Sequence, residues 1–149
     1  MKIAIGSDHR GVQQRAYVAA ALTRLEYQIE DCGTPSEDAC DYPDIAKRVC
    51  EAILEGAAQQ GILICGTGIG MGMAANKFPT IRAAVCHDIQ TAELCRQHNN
   101  ANVLCLPGGL DERQYHDIIS AWLNSEFEGG RHQRRIDKIH HLECAKTDG

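Results

Sequence analysis

Five short strand-like runs, several of them without polar alternation, constrain this chain more than any other feature. They lie at 2–6, 28–31, 61–65, 83–86 and 102–106. Strands covered on both faces read this way, as in a parallel sheet. Longer amphipathic stretches separate them, at 12–25, 44–55, 70–77, 89–98 and 111–125. In the last of these Ile118, Ile119, Trp122 and Leu123 recur at helical spacing. Alternation of this kind predicts an α/β fold with a five-stranded parallel sheet and right-handed crossovers. With 149 residues the chain suits a single domain over 1–149. Gly129-Gly130 is the one plausible hinge, and a final helix at 131–145 is expected to form a C-terminal arm. That arm is too short for a domain, so it should pack on the body or on a second subunit.

Charge and cysteine usage then exclude several classes. The formal net charge is −5, which argues against broad nucleic-acid binding but not against a local basic site. The longest weakly polar stretch, 61–75, carries five glycines and is too short to span a bilayer. Eight cysteines stand at 32, 40, 50, 65, 86, 95, 105 and 144, with no C-x-x-C pair. Lys2-Ile-Ala-Ile-Gly6 reads as a strand and not as a secretory leader. Reduced thiols in a soluble, cytoplasmic protein are therefore expected.

In open α/β sheets, ligands bind at the carboxyl ends of the strands, and there the sequence concentrates its chemistry. Cys65-Gly-Thr-Gly-Ile-Gly-Met-Gly72 follows a strand and opens a helix. Glycines at 66, 68, 70 and 72 allow close approach of a ligand and free backbone N–H groups to face an anion. The spacing does not match a dinucleotide fingerprint well, and the chain has no Gly-Lys pair for a P-loop. An anion or oxyanion cradle fits better than a plain turn. Cys65 sits where the loop begins, and N–H groups at a helix N-terminus favour a thiolate that can act as base or nucleophile. Thr67 offers a hydroxyl that can pass a proton between neighbouring oxygens.

Asp8-His9 places a carboxylate and an imidazole after the first strand, although Asp8 would also serve as a helix N-cap. His98-Asn99 closes the fourth helix, where a histidine can simply partner the helix dipole. Neither His9 nor His98 has a metal-ligating companion at usable spacing, and no metal is expected. Arg131, Arg134 and Arg135 share one helical face, and guanidinium pairs hold phosphate in a bidentate way. A small phosphorylated ligand suits that cluster better than a solvated face paired with Asp137.

Together these segments resemble ribose-5-phosphate isomerase of type B, in the family that includes the galactose-6-phosphate isomerase subunits. The resemblance rests on Ile3-Ala-Ile-Gly-Ser-Asp-His-Arg-Gly11, Asp41-Tyr-Pro43, Gly61-Ile-Leu-Ile-Cys-Gly-Thr-Gly-Ile-Gly70, Ala74-Ala-Asn-Lys77, Arg96-Gln-His-Asn99 and Gly129-Gly-Arg-His-Gln-Arg-Arg135. It implies a Rossmann-like three-layer sandwich and a homodimer or homotetramer with sites completed across the dimer interface. It also implies a sugar-phosphate substrate, with no metal or organic cofactor, no nucleic acid and no membrane.

Carried over residue by residue, Cys65 would move a proton between C2 and C1 through an enediolate. Thr67 would assist transfer between O1 and O2, and the N–H groups of Gly66, Gly68 and Gly70 would hold the oxyanion. His98, with Asp8 nearby, would open the furanose ring, and Asn99 would bind the sugar. His9, Arg131 and Arg135 would hold the phosphate. One departure stands out. Gly109 occupies a position where many relatives carry an arginine, and the next arginine is Arg113. A hexose 6-phosphate of the allose or galactose type is therefore the alternative substrate. The rival classes are a non-catalytic phosphate-binding module and a thiol redox protein, and the latter lacks the expected C-x-x-C motif.

Overall fold

A computed structural model describes residues 1–33 and 40–147. The strands are β1 (Lys2–Ser7), β2 (Gln28–Asp31), β3 (Gln60–Cys65), β4 (Ala83–Val85) and β5 (Val103–Pro107). The helices are α1 (Val12–Arg24), α2 (Tyr42–Leu54), α3 (Ile69–Ala75), α4 (Ile89–Asn99), α5 (Glu112–Asn124) and α6 (Arg131–Thr147). All pairings in the sheet are parallel, in the order β2-β1-β3-β5-β4. The expected five-stranded parallel α/β architecture is what forms.

Side chains alternate across the sheet, and the two faces take different cores. Ile3, Ile5, Ile62, Ile64, Leu104 and Leu106 face one cluster, which Val18 and Leu22 of α1 and Tyr115, Ile119 and Trp122 of α5 complete. Ala4, Leu63, Cys65, Val103 and Cys105 face the other, closed by Ile45 and Val49 of α2 and Met71 and Ala75 of α3. Helices thus cover both faces, in three layers. Aromatic residues are scarce, and Trp122 and Tyr115 are both fully buried, where such rings contribute the most area per residue.

Three local features differ from the sequence reading. A 3-10 turn at His9–Gly11 precedes α1, because Asp8 caps it through Oδ1, accepting from the N–H groups of Arg10 and Gly11 at 3.1 Å each. Helix α2 begins at Tyr42 rather than 44, with Pro43 in its first turn, where its missing N–H costs nothing. Gly129 and Gly130 are not a loose hinge. Both adopt left-handed φ, 66° and 57°, and their carbonyls accept from His132 and Gln133 at 3.1 Å. They form a fixed reversal that lays the start of α6 against α4, with His132 and Ile136 buried.

Candidate active site

The strand order reverses direction between β1 and β3. After β1 the chain passes to the α1 face, and after β3 it passes to the α3 face, so their carboxyl ends form the switch point at which such sheets bind ligands. The Asp8 N–H donates to the Ile64 carbonyl at 3.4 Å and ties the two strand ends together. Asp8, His9, Cys65, Gly66, Thr67, Gly68 and Gly70 all belong to this edge.

Cys65 is the last residue of β3 and 7% exposed, so its side chain is sheltered. Its carbonyl and that of Gly66 accept from the Gly108 N–H at 2.8 and 3.3 Å, which pins the loop after β5 against the glycine loop. Gly68 has φ 79°, and a Cβ there would stand 3.1 Å from the Leu106 backbone; both facts require glycine. No heavy atom lies within 4 Å of where a Gly66 Cβ would sit, so the loop backbone borders open space. The Thr67 hydroxyl oxygen accepts from the Ile69 N–H at 3.2 Å, leaving its O–H proton to donate outward. His9 Nδ1 accepts from the Cys40 N–H at 3.3 Å. The His9 proton therefore sits on Nε2, where it can donate to an oxyanion.

Two other thiols on the same face of the sheet sit in environments of a different kind. Burial pushes Cys50 up to about 12 and raises Cys105 as well, so both stay protonated in the α2–α3 core.

A second group of residues sits at the opposite edge of the sheet. Helix α4 runs antiparallel to the strands, so His98 and Asn99 in its last turn precede β5, whereas Cys65 pairs with Pro107 at the far end of β5. Four residue steps of strand separate those ends, about 13 Å at the usual rise. Within one chain His98 therefore does not stand beside Asp8, and the two could meet only across an interface between copies. Arg131 and Arg135, exposed on α6, belong to the same edge as His98, because α6 starts against α4.

The sequence reading missed the residues that anchor this second group. Arg82 donates from Nε to the carbonyls of Asn99 and Asn100 at 3.1 Å each, and from Nη2 to Asn100 at 3.0 Å. Arg96 Nη1 reaches Asn100 Oδ1 at 3.0 Å and the Ala101 carbonyl at 2.6 Å. These cations satisfy carbonyls that a helix end otherwise leaves open. His132 stacks on His98 with centroids 4.4 Å apart and planes 12° apart. Glu128 Oε2 lies 3.7 Å from His132 Nε2. No spacing rule links positions 98, 128 and 132; the Gly129-Gly130 reversal does. Donor atoms of His98, Glu128 and His132 gather within 4.8 Å of one another. Nearly parallel rings, however, aim their lone pairs in planes that do not meet nearby, so the pair is shaped for stacking and not for chelation. Tyr42 was also missed: its ring lies against Gly70, where a Cβ would come 2.6 Å from Cζ.

At the departure site, Gly109 has φ 84° with open space beside it, a backbone that suits glycine and strains arginine. Arg113 does not replace it. Its side chain is 91% exposed, with Nε 3.8 Å from Asp117 Oδ2 one turn along α5.

No described helix is long and apolar enough to cross a membrane. Cys32, Cys40, Cys50, Cys65, Cys86, Cys95 and Cys105 are all free thiols.

Known proteins share both the sequence and this fold. The chain is 43% identical over 145 residues to ribose-5-phosphate isomerase B of Escherichia coli, covering 95% of this chain and 96% of that protein. A ribose-5-phosphate isomerase B from Clostridium thermocellum superposes with a TM-score of 0.94 at 44% identity, covering 98% of this chain and 99% of that one. The Mycoplasma genitalium enzyme, solved with bound ribulose-5-phosphate, gives a TM-score of 0.89 at 43% identity, with 95% of each chain covered. The sequence model of the Ribose/Galactose Isomerase family matches residues 3–139, and the chain belongs to that family.

Proposed function

We propose that this protein is an aldose–ketose isomerase that interconverts ribose 5-phosphate and ribulose 5-phosphate through an enediolate. The observation that carries the reading is Cys65, a sheltered thiol at the strand-order reversal, heading a glycine loop whose Gly66 borders open space. A proton next to a carbonyl is weakly acidic, so a base needs help from groups that hold the developing negative charge. Cys65 takes the proton from C2 and returns it to C1. Thr67, with its O–H free to donate, moves a proton between O1 and O2. The N–H groups of Gly66, Gly68 and Gly70 hold the oxyanion.

His98 opens the furanose ring, Asn99 binds the sugar, and His9, Arg131 and Arg135 hold the phosphate. Asp8 uses Oδ1 as a cap and has its second oxygen for the ring-opening step. No metal or organic cofactor enters this scheme. The two sets of residues lie at opposite sheet edges, so a working site takes Cys65 from one copy and His98 from another. Exposed Met73, Ile139 and Leu142 rim a groove of about 900 Å³ between α3, β4 and α6, and a second copy is its occupant in this reading. Its reduced thiols suit a cytoplasmic enzyme.

Gly109 and the outward-turned Arg113 favour one second reading, a roomier distal pocket that takes a hexose 6-phosphate. Incubation with ribose 5-phosphate and a metal chelator, followed by NMR, tests the proposal, with allose 6-phosphate in parallel. Conversion of the pentose is expected. Turnover of the hexose alone would move the substrate, and no turnover of either would leave only a phosphate binder.

A further inference from the structure

We infer that His132 is a positioning residue for the reaction, holding the His98 ring in its working orientation by stacking on its face. This rests on the ring-opening role proposed for His98. A histidine in the last turn of a helix has two free side-chain torsions, and a half-exposed imidazole there samples several orientations. Proton transfer to a ring oxygen tolerates little of that, since donor and acceptor must meet within hydrogen-bond distance. The flat face of His132, 4.4 Å away and inclined by only 12°, supplies a fixed wall. It leaves the edge of His98, with its nitrogens, directed away from the stack.

The wall is itself built in. His132 is 7% exposed. Its segment is tied to α4 by the Glu128 N–H, which donates to the Gln97 carbonyl at 3.0 Å. Two left-handed glycines turn the chain back, and buried Ile136 seats the next turn of α6. Stacked imidazoles repel if both are charged. Burial first, and then His98 and Arg131, hold the His132 imidazole below its ordinary value, against the opposing pull of Glu128. His132 is thus the neutral partner in the stack.

The test separates ring chemistry from enediolate chemistry. Ribulose 5-phosphate, whose 5-oxygen is esterified, cannot close a furanose and enters the site as an open chain. In D₂O with an aldehyde trap such as semicarbazide present, exchange at its C1 reports proton abstraction, whereas net conversion, counted as ribose 5-phosphate that escapes the trap, requires ring closure on the enzyme. His132→Ala is expected to raise the ratio of C1 exchange to net conversion about tenfold, with exchange itself changed less than about threefold. His132→Phe, which keeps a flat face, should bring the ratio back to within about twofold of the parent enzyme. A merely structural loss lowers both rates and leaves the ratio unchanged, and that result overturns the inference. A ratio in His132→Phe as high as in His132→Ala does the same. His98→Asn is the companion variant. If it keeps the parent ratio, the ring-opening role of His98 falls and the inference falls with it, an outcome distinct from failure of His132 alone.

Discussion

At the scale of single residues, the proposed chemistry hangs on Cys65. Seven other cysteines are available, yet Cys50 and Cys105 sit deep in the α2–α3 core, where burial holds them protonated. Cys65 shares that core but ends its strand at the strand-order reversal. Cys65→Ala should fold normally and lose at least about 10²-fold in kcat, in the range expected when a general base is removed. Circular dichroism with steady-state rates checks this, and near-normal turnover would reassign the base. The glycine loop and its cysteine were legible in the sequence because local chemistry alone marks them, with alternating glycines after an apolar strand. His132 was not, although it stands inside a noted motif. Its meaning depends on a ring 34 positions earlier in the chain, which only the folded reversal at Gly129-Gly130 brings into contact.

At the scale of elements, the end of α4 shows how a site is held. Asn100 takes the left-handed conformation with φ 45°, and Arg82 covers the carbonyls of Asn99 and Asn100. Arg82 precedes β4, so the edge strand and the helix terminus are clamped by one side chain. Asn76 adds a second clamp, with Nδ2 donating to the Ala83 carbonyl at 3.0 Å and Oδ1 accepting from its N–H at 2.8 Å. That pair imitates a strand partner and caps an otherwise open edge. Arg82→Ala is predicted to cost about 1.5–3 kcal/mol of stability, because hydrogen bonds from a charged donor to partly buried carbonyls are lost. It should also lower turnover beyond what the stability loss explains, because His98 and Asn99 lose their footing. Thermal melts together with kcat at a temperature well below the transition test this; a stability loss with unchanged kcat would count against it. The positions of the strands and helices followed from apolar periodicity. The shifted starts of the turn at His9–Gly11 and of α2 did not, because the Asp8 cap and the Pro43 position act through local backbone geometry that periodicity ignores.

At the scale of the whole molecule, the parallel sheet decides where everything can go. Residues after β1 and β3 must lie at one edge, and the end of α4 must lie at the other. The order of elements was readable from the sequence, and this separation is its direct consequence. In the proposed scheme one copy of the chain is then half a machine: base and oxyanion cradle at one end, ring-opening histidine and basic face at the other. The most direct test mixes Cys65→Ala and His98→Asn, each expected to be inactive on ribose 5-phosphate, after mild dissociation and reassembly. Shared sites predict that mixed dimers carry one intact site, restoring up to about a quarter of the parent activity. A mixture as inactive as its components, in the presence of demonstrated subunit exchange, would contradict a site assembled from two copies.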